Sequence, residues 1–255
     1  MTVCLTAKEL LCAAALLGIP EVIAIPDAFQ NMEQRQLRAE LLAAQQSLEE
    51  KGILQLDFDG SRALSPAYLP NLETVLKSEK VIIVDAQLIS CGQAGCAYYI
   101  AKQRVVRSVP RNGVFELSEI GSEQAMKELC GLDWVWAETL SCAPCLVSQR
   151  KLNQIKAENS TATLKEIGMD DKLRAIIADA FSFQTNYYSY AFLDRWSGGK
   201  LTSLIFMDDA RGAVKLTPAV EDDQNCILLE AVTQENLKAE LREAVQAMLQ
   251  AEMEG

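Results

Sequence analysis

Short alternating strands, broken by turn residues and closed by a capped helix, occur twice along this chain. That pattern restricts the fold more than any other feature. In the first copy Val81 to Ile89 reads as a buried strand, Cys96 to Val109 as one long strand or two short ones, and Val114 to Ile120 alternates after a turn at Pro110-Arg111-Asn112-Gly113. Gly121-Ser122-Glu123 then opens a helix carrying Ala125, Met126 and Leu129, closed by Gly131. In the second copy strands are expected at about Tyr187 to Arg195, Lys200 to Met207, Ala213 to Thr217 and Cys226 to Val232, with turns at Trp196-Ser197-Gly198-Gly199 and Asp222-Asp223-Gln224-Asn225. Thr233 caps a final helix in which Leu237, Leu241, Val245 and Met248 recur at helical spacing. Phe115–Met126 and Cys226–Leu237 share one outline: strand, cap, helix. Strands joined by short turns favour antiparallel pairing. The chain lacks a strand-helix-strand alternation with a glycine-rich turn, which argues against a doubly wound nucleotide fold.

The N-terminal stretch reads differently. Thr6-Ala7-Lys8-Glu9 is a capping-box pattern opening a helix from about Ala7 to Leu17, stopped by Gly18-Ile19-Pro20. A long helix from about Met32 to Lys51 buries Leu37, Leu41, Ala44 and Leu48 along one stripe, and Gly52 is its expected left-handed terminator. Ile53 to Phe58 alternates, Asp59-Gly60 turns, and Ala63-Leu64 returns. Helix, helix, hairpin is a winged-helix outline, and Pro66 and Pro70 bracket a further helical piece ending near Lys77. The Trp134 to Leu140 stretch reads equally as strand or helix, a polar helix follows to about Glu158, Asn159 to Thr163 is the best linker, and Asp171 to Phe183 is helical. The expected fold is therefore α/β (α+β): a winged-helix-like segment over residues 1–80, and a duplicated core over 81–255 in which a mostly antiparallel sheet is covered by helices.

Composition narrows the chemistry. The 255 residues contain no histidine, which removes Ser-His-Asp and Cys-His catalysis and paired-histidine zinc sites. A net charge of -11 argues against tracking a phosphate backbone, so no nucleic-acid partner is expected. The long helix sets Arg35, Arg38 and Lys51 against Glu33, Glu40, Glu49 and Glu50, leaving a winged-helix transcriptional regulator as an alternative only. The longest apolar run, Leu10 to Ile19, is half what a membrane span needs, and the start lacks a signal-peptide pattern, so a cytoplasmic protein without membrane insertion is expected.

Eight cysteines are too sparse for a disulfide scaffold of this length. Cys142-Ala143-Pro144-Cys145 has redox spacing, and at a helix start the pair could share a lowered thiolate pKa. It resembles the thioredoxin motif, and a thiol-disulfide oxidoreductase is the alternative it supports. Against it, the pair follows no strand of a strand-helix-strand unit, and the only later proline is the distant Pro218. Cys91 and Cys96, flanking a glycine-rich turn, could join this pair around zinc, although their spacing is wider than a zinc knuckle's. No metal and no cofactor are expected. Asp170-Asp171 should cap a helix, while Asp208-Asp209 and Asp222-Asp223 fall at expected turns. The aromatic strand Tyr187 to Phe192, followed by Leu204 to Met207, is denser in large apolar groups than one sheet face needs. Tyr188, Tyr190, Phe192, Leu204 and Phe206 are therefore the candidate partner-binding residues, with cover by the chain's own helices the other outcome.

The N-terminal motifs Leu5-Thr6-Ala7-Lys8-Glu9-Leu10, Leu16-Leu17-Gly18-Ile19-Pro20, Leu48-Glu49-Glu50-Lys51-Gly52-Ile53-Leu54, Asp59-Gly60 and Leu64-Ser65-Pro66, leading to Leu72 and Leu76, resemble those of EspG-type chaperones of type VII (ESX) secretion. The resemblance covers the order of elements along most of the chain. It implies a strand-rich core of two quasi-twofold halves and a cytoplasmic, non-enzymatic chaperone that shields the apolar tip of a small helical secreted client before export. The eight cysteines are unusual for that family and suggest a distant relative.

Overall fold

In the computed structural model, which describes residues 2–56, 61–90, 92–131, 140–158, 164, 167–182, 184–195 and 200–250, the alternating segments pair into one ten-stranded antiparallel sheet. The first half runs β1 (Thr2–Thr6), α1 (Ala7–Leu16), α2 (Gln34–Glu50), a small hairpin of β2 (Leu54–Leu56) and β3 (Arg62–Leu64), α3 (Leu69–Lys77), then β4 (Lys80–Leu88), β5 (Gly92–Ala101), β6 (Arg104–Arg111), β7 (Val114–Ile120) and α4 (Ser122–Cys130). The second half runs β8 (Cys145–Ser148), α5 (Gln149–Glu158), α6 (Asp171–Phe181), β9 (Asn186–Asp194), β10 (Lys200–Asp209), β11 (Gly212–Glu221), β12 (Gln224–Val232) and α7 (Gln234–Gln250). Across the sheet the order is β1-β7-β6-β5-β4-β9-β10-β11-β12-β8.

The halves meet at β4 and β9, where Val84 lies opposite Tyr190, and matching features recur on either side of that pair. Thr6 caps α1 by accepting from the Glu9 amide, and Ser148, before α5, accepts from the Lys151 amide. Arg107 on β6, opposite Ser118, reaches Glu128 on α4; Lys215 on β11, opposite Glu230, reaches Glu240 on α7. Pro110 opposite Phe115 and Pro218 opposite Ile227 both lie beyond the stretch that pairs with the inner neighbour strand, where the missing N–H costs no ladder bond. The β6–β7 and β11–β12 hairpins turn through residues of positive φ, Asn112-Gly113 and Asp222-Asp223. A duplication visible in outline along the sequence is thus repeated in register, cap and ion pair.

One sheet face, called face A, carries α1, α2 and α3 over the first half and α5 and α6 over the second. Leu5, Leu10, Leu48, Leu72, Val81, Tyr99 and Leu117 form the first core, and Val147, Ile155, Leu173, Ile176, Met207, Val214 and Leu229 the second. Face B carries α4 and α7 across the middle, over Ile82, Tyr98, Ile100, Tyr190 and Phe206, with Leu237, Leu241, Val245 and Met248 supplying the helix stripe. Glu9 ties the first layer together. It closes the capping box with the Thr6 amide (2.6 Å) and accepts from Ser47 Oγ and Lys51 Nζ (each 2.6 Å), pinning the end of α2 to α1. Burial alone would raise its pKa, but Lys51, Ser47 and the Thr6 amide outweigh that and hold it below the ordinary value.

Most local expectations hold: α4 lies between its two glycines, Thr233 accepts from the Asn236 amide, and Asp170 caps α6. Cys96 to Val109 is two strands. In α2, Ala44 and Leu48 are buried, whereas Leu37 and Leu41 are only partly so. Helix, helix and hairpin do follow one another, but β1 joins the large sheet beside β7, so the N-terminal segment shares its core with residues from Val81 onward. Edge strands β1 and β8 were not anticipated, being too short to display a period. Asp208 and Asp209 end β10 rather than forming a turn. Residues 59–60, 134–139, 159–163, 183 and 196–199, with their expected turns, linker and ambiguous segment, lie outside the described residues.

Candidate functional site

The five aromatic and aliphatic residues expected to meet a partner are placed in the interior. Tyr188, Tyr190, Phe192, Leu204 and Phe206 all point to face B and are at most 7% exposed. Tyr188 stacks on Phe206 with centroids 4.6 Å apart, Tyr190 lies 6.2 Å from Phe206, and the Tyr190 hydroxyl reaches the Leu129 carbonyl of α4. Apolar density in β9 and β10 reflects cover by the chain's own α4 and α7. While those helices stay packed, these side chains offer no contact surface.

The opposite face of the same strands is different. On face A, Ile83, Ser189, Ala191 and Leu193 are half-buried, and Asp85, Leu201 and Ser203 are exposed, Leu201 by 63%. These residues neighbour one another through the β4–β9–β10 register and form an open strip between the two helix groups. Beside it, between the sheet and helices α5 and α6, is a cavity of about 370 Å³. Leu152, Ile177, Ala180, Met207, Leu216 and Leu229 make it apolar; Gln87, Asn153, Thr185 and Tyr187 give it polar points, and none of the described lining residues is charged. Thr185, 3% exposed, has a hydroxyl with no hydrogen-bond partner among the described residues. Tyr187, Ser189, Ala191 and Met207 fall within the apolar stretches noted in the sequence, but nothing there marked this face as the open one, because its residues are adjacent only after β4 and β9 pair.

The thiol chemistry is corrected by position. Cys145 begins strand β8, and the following helix starts only at Gln149, so the Cys142-Cys145 pair lacks the helix N-terminus that would stabilise a thiolate. Burial pushes both thiols above the ordinary value, with Asp170 adding to the rise at Cys142. Both are free. Cys96 lies within β5 rather than at a turn and packs toward face B, whereas Cys142 and Cys145 pack on face A, so one ion cannot span them. Cys91 lies outside the described residues. Among the described residues no group of three or more His, Cys, Asp or Glu is arranged around a metal position. Lys51, which caps α2, is committed to Glu9, and Glu40 of α2 to Lys8.

Among the described residues, Asp208 is the one carboxyl displaced far upward. Burial at 2% exposure, with Asp209 adjacent, pushes it up to about 6 despite a hydrogen bond from Asn186 Nδ2 (2.8 Å). Asp209 pairs with Arg211, which also reaches Asp179 of α6, fastening the β10–β11 hairpin to the helix layer. This is a structural ion network and not a pair of cooperating acids. No helix among the described residues is long and apolar enough to cross a membrane.

No protein family and no curated protein matches the sequence. The fold itself has a counterpart: a mixed α/β chain with a broad antiparallel sheet, of the architecture seen in a solved type VII secretion chaperone. One solved structure that it matches is that of the Mycobacterium tuberculosis type VII secretion system chaperone EspG5 in complex with the PE25-PPE41 dimer. The match covers 98% of this chain and 97% of that chain, with a TM-score of 0.59 and 11% sequence identity, so the likeness is one of fold.

Proposed function

We propose that the chain is a secretion-associated chaperone or adaptor that binds a small helical export substrate in the cytoplasm and carries out no chemistry of its own. One observation carries this reading: the end-to-end fold match to EspG5, a chaperone solved with a PE25-PPE41 dimer. The open strip on face A supports it, since Leu193, Leu201 and Ile83 offer apolar area beside Ser189 and Ser203. The contact surface is therefore the reverse side of the strands first singled out. The net charge of -11 keeps such a complex soluble.

Co-expression with small helical secreted proteins encoded beside it tests the reading. A client that is soluble only in the presence of this chain, and that co-elutes with it on size exclusion, is the expected result; Leu201→Asp should weaken capture at least ten-fold. If every such protein is equally soluble alone and none co-elutes, the reading fails.

A further inference from the structure

A groove of about 490 Å³ lies in the N-terminal layer, between the second half of α1 and the non-helical segment that follows it. That volume falls within the range of ligand sites, about 300–1,000 Å³. Its lining residues belong to the stretch 11–29, which is described without a break. Val22 and Ile25 are buried at its base in the same core as Leu10 and Leu117, Leu11, Ile19 and Phe29 are half-buried, and Ala15, Glu21 and Asp27 are exposed at its rim. The segment is fixed before anything binds. Gly18, at φ +70°, turns the chain back so that the Ile19 amide reaches the Ala14 carbonyl at 2.9 Å. The Tyr99 hydroxyl ties the segment to β5 by donating to the Ile23 carbonyl at 2.8 Å, and Asp27 Oδ1 accepts from the Phe29 amide at 2.9 Å. A preformed groove spares an incoming chain the cost of ordering it.

The charge around this apolar groove has one sign. Glu21 and Asp27 line it, and none of the described lining residues is a cation. Helix α1 ends here with no basic residue in its last turn, so the negative end of its dipole adds to the two carboxylates. Neither acid is fully engaged. The Glu21 side chain is 76% exposed and reaches Arg195 at 3.4 Å, a loose pair that a competing cation can displace. Asp27 makes no ion pair among the described residues. Arg195 follows Leu193 by two positions, so its contact with Glu21 sets the rim of the groove beside the end of the open strip on face A.

We propose that this groove receives the apolar face of a short basic amphipathic helix of a partner protein. Leucine-sized side chains enter between Leu11, Ile19 and Phe29, and lysine or arginine on the flanks meets Glu21 and Asp27. Leu11 and Ala15 lie one turn apart, and Ala14 and Ala15 carry only methyl groups, which leaves room for a second helix to pack along α1. Resting on the reading of the chain as a client-binding protein, the proposal adds a second contact beside the strip, with a charge requirement of its own.

The probe is the acetylated, amidated peptide KLAKALKKLAKALK, whose leucines share one helical face, titrated into the intact chain with the isoleucine methyl groups followed by NMR. The Ile19 and Ile25 methyls should shift saturably, with the remote, buried Ile155 unmoved. Ala15→Trp, which fills the groove from the exposed side of α1, should weaken binding at least ten-fold. Asp27→Asn, which keeps the oxygen that Phe29 bonds and removes the charge, should weaken it about three-fold, an effect that fades in high salt. Near-UV circular dichroism establishes that both variants fold. Peptides with glutamate for lysine, or serine for leucine, should not bind. Absence of a saturable shift up to ~1 mM peptide would overturn the proposal, as would binding indifferent to Ala15→Trp or equal binding of the glutamate peptide. A dimer of this chain abolished by Ala15→Trp would overturn it in favour of a second copy. If Ala15→Trp captures a helical client as well as the native chain does while Leu201→Asp fails to, the groove is refuted and the chaperone reading stands; if the peptide binds in the groove but no client is ever captured, the reverse holds.

Discussion

Replacing Glu9 by glutamine tests whether one buried carboxylate holds the N-terminal helices onto the sheet. Glu9 is 2% exposed and accepts three hydrogen bonds of 2.6 Å, from the Thr6 amide, Ser47 and Lys51. Hydrogen bonds to a charged group contribute about 1.5–3 kcal/mol each. Lys51 is 38% exposed, so its share is screened and only the lower part of that range applies to it. Glutamine keeps one acceptor oxygen but turns an NH₂ toward a group that also donates. We expect a loss of about 3 kcal/mol at pH 7, and at about 2–4 °C per kcal/mol for a chain of this size Tm should fall by roughly 6–12 °C. The effect should depend on pH in one direction. A carboxyl whose folded-state pKa is depressed contributes stability that is present above its unfolded value, 4.5, and lost as pH falls through the folded value. Urea unfolding of the two proteins between pH 7 and pH 3 should therefore show a gap that closes on acidification. A gap that is absent at pH 7, or undiminished at pH 3, would refute this account of the α1–α2 joint.

Asp208 runs the other way: its folded-state pKa of about 6 lies above the ordinary 3.8, so native stability should rise as pH falls through 6, and Asp208→Asn should remove that slope and stabilise the protein at pH 7.5 by up to about 2 kcal/mol in urea titrations. Phe206→Ala, fully buried between the sheet and α4 and α7, should cost about 3–5 kcal/mol; near-native stability would mean that the face-B helices can leave. Iodoacetamide at pH 7 followed by peptide mass mapping should label exposed Cys4 first and Cys142 and Cys145 slowly, with their rates climbing above pH 9. Rapid neutral labelling of that pair would restore the oxidoreductase alternative.

Much of the fold was legible because it is written in chemistry spanning three or four residues. Thr6 and Glu9 close a capping box, Asn112-Gly113 and Asp222-Asp223 adopt the positive φ that a tight hairpin needs, and the Leu237, Leu241, Val245, Met248 stripe is a matter of helical period. The repeated strand–cap–helix outline followed from the same signals. The candidate site was not legible. Strand period tells which residues share a face but not what lies on that face, so Tyr188, Tyr190 and Phe206 had the composition of an interface and the surroundings of a core.

The amino-acid order by itself determined the elements, their ends and the existence of two similar halves, since each depends on neighbours along the chain. Only tertiary structure decided that β4 and β9 would meet, that α4 and α7 would cover face B, and that a cavity would remain between the sheet and helices α5 and α6. Those outcomes depend on pairings between residues some hundred positions apart, whose gain comes from buried area and register summed over the whole sheet, and no local pattern carries that sum.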